Sequence, residues 1–509
     1  MSKSLCLSLS CLLILVGSSY GQNRPLSPPN ILFCIADDQT WLHTSTMGTP
    51  EIHTPHFDQV ARRGILFENA YCAASSCAPS RAAILTGQEI WRLEEGGLLF
   101  GGLSKSKPIF TELLRQHGYQ TAQTGKGYAP ANLELDKYWN QPIGEVYNEQ
   151  QVESPEGIAS CDYAANFEQF LQSRDSSKPF FFWYGGFEPH RPYQFARGAT
   201  QGKNLTDIVV PGFLPDHEVT RNDMADYFSE IEWFDDHLGR MLSALEASGE
   251  LDNTIIVVTA DNGMPFPRAK TTGYEYGTHM PLAICWGNRI KGSRKVTDFV
   301  SFTDFAPTFL ALAGVEVPDE VTGRSLVDVL LSDRSGRVDT SRDRVFTALE
   351  RHTYCRPDGM PYPIRTIRKG KWLYIHNFAP DRWPAGHPTF DSPHQGVYGD
   401  VDAGPTRTYI LSHQNDPSVR PFYKYSFAKR PQEELYDVMA DPDNVNNLAD
   451  KEAYAALKKA LQQELFTYLR QTNDPRMKGE SPWDNYPYYF TDFESRHLKP
   501  VGQRDSLER

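Results

Sequence analysis

The sequence predicts an α/β fold: a large, mostly parallel sheet sandwiched by helices, then a smaller C-terminal α+β domain on a short antiparallel sheet. Three observations carry that expectation. Residues 30–36, 179–184 and 254–259 are nearly unbroken apolar runs, as strands buried on both faces require. These runs alternate with stretches of helical periodicity, which favours parallel pairing through crossovers. Beyond a polar, charged stretch at 332–344, the pattern changes to short strands joined by tight turns.

A chain of 509 residues exceeds one small core. We read residues 1–21 as a signal peptide, 22–340 as the large α/β domain and 341–509 as the C-terminal domain. Lys3, an apolar stretch at 5–16 and small residues before Gln22 fit an export signal. That stretch is too short to span a bilayer, and no later one is longer. A periplasmic or secreted protein is expected, or a lysosomal one in an animal cell. Of the eight cysteines, Cys6 and Cys11 leave with the signal, and the rest are too scattered for a disulfide framework. A net charge of −13 disfavours nucleic acid, so an anionic ligand would need a local basic pocket.

Taken in order, the strand at 30–36 ends in Asp37-Asp38, and a helix starting at Pro55 leads toward Cys77. A helix at 109–117 precedes a strand at 119–123, which closes in Gly125-Lys126-Gly127-Tyr128. The strand at 179–184 runs into Phe187-Glu188-Pro189-His190-Arg191. Tyr227, Ile231, Phe234, Leu238, Met241 and Leu245 predict an amphipathic helix over 222–247. The strand at 254–260 runs into Asp261-Asn262-Gly263, with Lys270 soon after, and 281–286 is one more strand. In the C-terminal part, 364–367 and 372–376 read as a hairpin around Gly370. A strand at 434–437 and a helix carrying Tyr454, Leu457, Leu461, Leu465 and Tyr468 follow, and residues from 472 read as irregular coil.

Singly, these polar clusters have plain readings: a turn, a solvated lysine, a structural histidine. Together, Asp37-Asp38, Lys126, His190 and Asp261-Asn262 each follow the carboxyl end of a strand, where open α/β sheets place their sites. Adjacent carboxylates also suit Ca²⁺ or Mg²⁺. In Cys77-Ala78-Pro79-Ser80-Arg81, Pro79 suits a first helical turn and Gly87 a stop. A thiol there, with Arg81 nearby, would have a lowered pKa and could simply be reactive.

The full string from Cys77 to Gly87 resembles the signature of the type I sulfatases of the alkaline phosphatase superfamily, in which the cysteine becomes formylglycine. The resemblance extends to Asp37-Asp38, Gly125-Lys126, His190, Asp261-Asn262-Gly263, Lys270 and Leu435-Tyr436-Asp437. Asp261 to Pro267, Glu188 to Arg191, Tyr362 to Arg365 and Asn446 to Ala449 are similar to the heparan N-sulfatase branch. It implies an alkaline-phosphatase-like fold and hydrolysis of a sulfate ester or sulfamate on a sulfated saccharide. One Ca²⁺ would be held by Asp37, Asp38, Cys77 (as formylglycine), Asp261 and Asn262, and a maturation enzyme would oxidise Cys77. The hydrated aldehyde would attack sulfur, oriented by Arg81. Lys126 and Lys270 would neutralise sulfate oxygens, and His190 would serve the leaving atom.

Two positions depart from the pattern. Tyr128 stands where the family has a His that helps deprotonate the hydrate, so another group takes that proton or turnover is altered. Phe187 stands where heparan N-sulfatases have His. Tyr128, Glu350, Arg351, His352 and Arg365 are expected to line the sugar pocket, with interdomain ion pairs as the other reading of the last four. Rival functions are an O-sulfatase of another polysaccharide, a two-zinc phosphatase or phosphodiesterase, and a non-catalytic glycan-binding relative. Asn262 stands where a zinc-binding His would be expected, which argues against the second.

Overall fold

The computed structural model describes residues 28–489 apart from 132, 134 and 392–395. The signal peptide expected at 1–21 lies outside the described residues. The large sheet contains β1 (Asn30–Ala36), β2 (Ile65–Tyr71), β3 (Gln120–Gly125), β4 (Glu145–Val146), β5 (Phe180–Gly185), β6 (Thr254–Ala260), β7 (His279–Met280), β8 (Leu282–Trp286) and β9 (Arg294–Ser301). Their order is β4-β3-β5-β1-β6-β8-β2-β7, with β9 beside β2. The strands from β4 to β6 are mutually parallel, whereas β8 runs antiparallel to both β6 and β2.

Register explains the site. Ala36 pairs with Ala260, Ile35 with Gly185, and Gly185 with Gly125. The chain therefore leaves β1, β3, β5 and β6 at one edge, level with one another. Every residue of β1, β5 and β6 is buried, as their unbroken apolar runs predict.

The long helix spans Glu218–Ala247, starting four residues earlier than the expected 222 because the His217 side chain accepts from the Val219 N–H. Its buried acids tie down loops. Asp223 receives both forks of Arg191 at 2.7 and 2.8 Å, and Asp235 accepts from the N–H groups of His56 and Phe57 at the start of the helix Pro55–Arg63. The Cys77–Thr86 helix is buried along its whole length. It ends at Gly87, at φ 66°, where a Cβ would lie 2.8 Å from Val321.

The second sheet runs β10 (Arg344–Leu349), β11 (Ile364–Lys369), β12 (Trp372–Asn377), β13 (Glu433–Asp437), all antiparallel. It is fastened to the loop feeding Cys77: the Ala348 N–H donates to the Ala73 carbonyl at 3.0 Å and Thr347 Oγ1 to that of Cys72 at 2.9 Å. The last helix, Ala455–Gln471, buries Leu461, Leu465 and Leu469, while Tyr468 stacks on Phe346. Within residues 472–489 the segment is not wholly the expected irregular coil: it forms two short 3₁₀ turns and buries Trp483. The rest of that expectation, 490–509, lies outside the described residues. Among the described residues, no helix is long and apolar enough to cross a membrane.

Candidate active site

The strand ends clamp one another before any side chain is considered. The Asp37 N–H donates to the Glu188 carbonyl at 3.0 Å, Lys126 N–H to Gly185 at 2.7 Å, and Asp261 N–H to Ala36 at 3.0 Å. Asp38 then turns left-handed, at φ 75°, a conformation that a short polar side chain tolerates better than most. Asp261 Oδ1 accepts from the backbone N–H of both Asp38 and Asn262, at 3.1 and 2.8 Å.

The side chains interlock above that edge. Arg81 donates from Nε to Asp261 Oδ2 at 2.8 Å and from Nη1 to the carbonyls of Lys126 and Gly127 at 2.7 and 3.0 Å. Lys126 Nζ donates to Asp37 Oδ2. Lys270 Nζ donates to Asp38 Oδ2 at 2.7 Å, and Asn262 Nδ2 to Asp38 Oδ1 at 2.6 Å. Cys77 Sγ and one oxygen each of Asp37 and Asp261 lie within 4.8 Å of one another. His190 is more open, its side chain 35% exposed, with Nε2 3.8 Å from Asp38 Oδ2. Its Nδ1 lies 2.7 Å from the Arg191 carbonyl, which makes Nδ1 the donor and leaves Nε2 facing the cluster.

Burial competes with these cations. Asp37 is held well below the usual carboxylate range because Lys126, His190, Arg81 and Lys270 together outweigh the burial that would raise it. Asp38 is pushed up to about 7 by burial and the neighbouring Asp37, against Lys270. Asp261 is pushed up to about 6 by burial and Asp37, against Arg81. Burial also pushes the Cys77 thiol up to about 11, against the pull of Lys126. The low-pKa thiol suggested by its place at a helix start is therefore absent: residue 77 is no thiolate nucleophile at neutral pH.

The same cluster fits a hard cation. Asp37 Oδ1 and Asn262 Oδ1 are buried and accept no hydrogen bond, which is costly for oxygens unless something else meets them. With Asp38 and Asp261 beside them, the donor set is oxygen-rich, as Ca²⁺ or Mg²⁺ requires.

The remaining expected residues separate into near and far. His352 Nδ1 lies 2.8 Å from Ser76 Oγ, next to Cys77. Tyr128 is buried with its hydroxyl on the Gly101 carbonyl at 3.1 Å, and burial raises its pKa further. Arg351 donates to the carbonyls of Tyr486 and Pro487. Arg365 is fully buried, donating to Asp474 at 2.6 Å and to Glu350 at 2.7 Å, and Glu350 also receives Arg476. The expected sugar-facing role of Glu350 and Arg365 finds no support in this geometry: they pair with Asp474 and Arg476 within 341–509, and these are not the interdomain ion pairs of the other reading. Asp402 was not anticipated, and its Oδ2 lies 3.1 Å from Lys270 Nζ. Its only signal in the sequence is an acidic pair with Asp400 just before Pro405.

This sheet and cluster define an alkaline-phosphatase-like hydrolase. A solved complex of a protein with its substrate D-glucosamine-2-N,6-O-disulfate superposes with a TM-score of 0.64 at 24% identity, covering 89% of this chain and 100% of that one. The phosphonate monoester hydrolase of Agrobacterium radiobacter shares the fold at a TM-score of 0.61 and 17% identity, over 91% and 98% of the two chains.

Residues 29–315 match the Sulfatase family, and 269–379 match the family described as N-sulphoglucosamine sulphohydrolase, C-terminal. The chain belongs to the sulfatase family and is a sulfuric ester or sulfamate hydrolase. Human N-sulphoglucosamine sulphohydrolase is 27% identical over 489 residues, 88% of this chain and 91% of that protein. The N-acetylglucosamine-6-O-sulfatase of Bacteroides thetaiotaomicron is 27% identical over 554 residues, covering 90% and 89%.

Proposed function

We propose that the protein desulfates a sulfated glucosamine-containing saccharide through a formylglycine made from Cys77 and one Ca²⁺ held by Asp37, Asp38, residue 77, Asp261 and Asn262. The observation that carries this reading is the buried meeting of Cys77, Asp37 and Asp261 at one strand edge, where the oxygens Asp37 Oδ1 and Asn262 Oδ1 accept no hydrogen bond. The cation would supply positive charge against the sulfate and residue 77. Arg81 holds the residue-77 helix against Asp261. One hydroxyl of the hydrated aldehyde would give its proton to water and form a bond to sulfur as the sulfur bond to the sugar oxygen or nitrogen breaks. His190 must first take up a proton on Nε2, against burial and Lys270 that lower its pKa, and then passes it to that leaving atom. Lys126 and Lys270 donate to sulfate oxygens as charge shifts between them. The second hydroxyl then loses its proton, the C=O bond re-forms, and sulfate departs from residue 77.

The C-terminal match and the human relative favour an N-sulfated sugar, giving a heparan N-sulfatase-like activity. The equally similar N-acetylglucosamine-6-O-sulfatase supports O-sulfate hydrolysis as the second reading. We further propose that residues 1–21 direct export, that a maturation enzyme oxidises Cys77, and that 22–340 and 341–509 are the two domains of the mature protein.

Mass spectrometry of the Cys77 peptide from active protein should show the aldehyde, and full activity from a peptide carrying only thiol overturns the mechanism. Sulfate release from N-sulfoglucosamine, glucosamine-6-O-sulfate and an aryl sulfate, beside phosphate release from the aryl phosphate, should rank N-sulfate first and phosphate last.

A further inference from the structure

We infer that Asp402 is a positioning residue that draws Lys270 off Asp38 when a cation takes Asp38, an inference resting on the cation site proposed above. Lys270 Nζ is shared between two carboxylates, at 2.7 Å from Asp38 Oδ2 and 3.1 Å from Asp402 Oδ2. An ammonium and a divalent cation at one carboxylate oxygen repel each other. Asp38 has little freedom to serve both, because its other oxygen accepts from Asn262 and its N–H is fixed to Asp261. Lys270 is itself 4% exposed, so water cannot take over its charge. Asp402 is the acceptor already in place.

The strap carrying Asp402 is built to stay put. Asp400 accepts from the Thr353 N–H at 2.8 Å, Thr353 Oγ1 at 2.9 Å and Arg356 Nη2 at 2.7 Å. On the other side, Thr406 donates from N and Oγ1 to Asp223 Oδ2 on the long helix, at 3.2 and 2.6 Å. Asp402 therefore sits on a span anchored at both ends, one end near β10 and the other on the large domain's helix. Lys270 needs only to shift its weight from one carboxylate to the other.

Calcium titration calorimetry of the cation-stripped full-length protein tests this. Asp402→Asn should bind Ca²⁺ about tenfold more weakly, because Lys270 then has only Asp38. Lys270→Met should bind it severalfold more tightly, with nothing left to compete. In the Lys270→Met background, adding Asp402→Asn should change affinity by no more than about twofold. Wild-type affinity in Asp402→Asn overturns the inference. So does an equal loss in both backgrounds, which would mark a plain charge effect, or weaker binding in Lys270→Met. The last variant keeps the test decisive even if Asp402→Asn does not fold. Wild-type protein that takes up no calcium defeats the cation site itself and this inference with it. Calcium uptake untouched by Asp402→Asn defeats the inference alone.

Discussion

Two of the buried charge clusters among the described residues differ in what their oxygens touch. At the edge of the large sheet, Asp37, Asp38 and Asp261 face Arg81, Lys126 and Lys270. Inside the second sheet, Glu350 and Asp474 face Arg365 and Arg476. In the second cluster all four carboxylate oxygens accept at least one hydrogen bond. In the first, Asp37 Oδ1 and Asn262 Oδ1 accept none, and two carboxyls are pushed up toward neutrality. Burial and ion pairing are common to both, so neither marks function. What separates them is completeness: a closed network fixes geometry, while an open one keeps room for a ligand.

The sharpest break falls on residue 77. Cys77→Ala should lower sulfate release by at least about 10⁴-fold while leaving the fold intact, since only a small side chain is lost. Cys77→Ser should release at most one desulfated product per chain in a burst assay, with the sulfate retained on the serine, because a serine ester lacks the second hydroxyl.

The closed cluster should respond in stability instead. Arg365→Met leaves Glu350 and Asp474 partly unpaired and should cost about 3–5 kcal/mol in urea unfolding. Rates on an aryl sulfate and on a saccharide should fall together, if at all. A loss confined to the saccharide would return Arg365 to the sugar pocket.

The open cluster should reveal itself through pH. In cation-free protein, Asp38 near 7 and Asp261 near 6 lie above their unfolded value of 3.8, so the folded state binds protons more readily. Their contribution is therefore full below about pH 4 and is lost as pH rises through 6 and 7. Cation-free protein should gain on the order of 1–3 kcal/mol from this source between about pH 8 and pH 5. Saturating calcium should remove that part of the slope, as thermal melts with and without chelator would show.

The smallest effect is reserved for a pair that is neither open nor closed. Lys371, half exposed, reaches Asp437 at 2.5 Å on the rim of the same second sheet. Lys371→Ala should change stability by less than about 0.5 kcal/mol.

β1, β5 and β6 were legible because each is a nearly continuous apolar run stopped by a polar cluster, a local pattern, while the polar β3 was legible from Gly118 before it and Gly125-Lys126 at its end. β2, β9 and β10 were not, since what makes them strands is partners elsewhere. β9 buries Arg294 and Asp298 among its apolar residues and pairs with a strand more than two hundred residues upstream. Helix stripes read well, but buried Asp223 and Asp235 could not be told from a solvated face without the loops they hold. Arg365 misled for a related reason. A charged residue on a strand suggests a pocket wall when the sheet has an open face, and β11 is buried along nearly its whole length. Asp402 lies in an irregular segment and meets Lys270 only through tertiary folding.

The Cys77–Thr86 helix, buried from end to end, also sets an order of events in the life of the protein. Its first residue is 3% exposed and its arginine 0%, so the Cys-x-Pro-x-Arg string is out of reach once the sheet has closed. An agent that oxidised Cys77, as proposed above, would have to meet the chain before it folds. A molecule that folds ahead of that encounter is committed, and only global unfolding can offer it a second chance. The fraction of active protein would then be set by a race between two rates, and raising the folding rate would lower the yield of working enzyme.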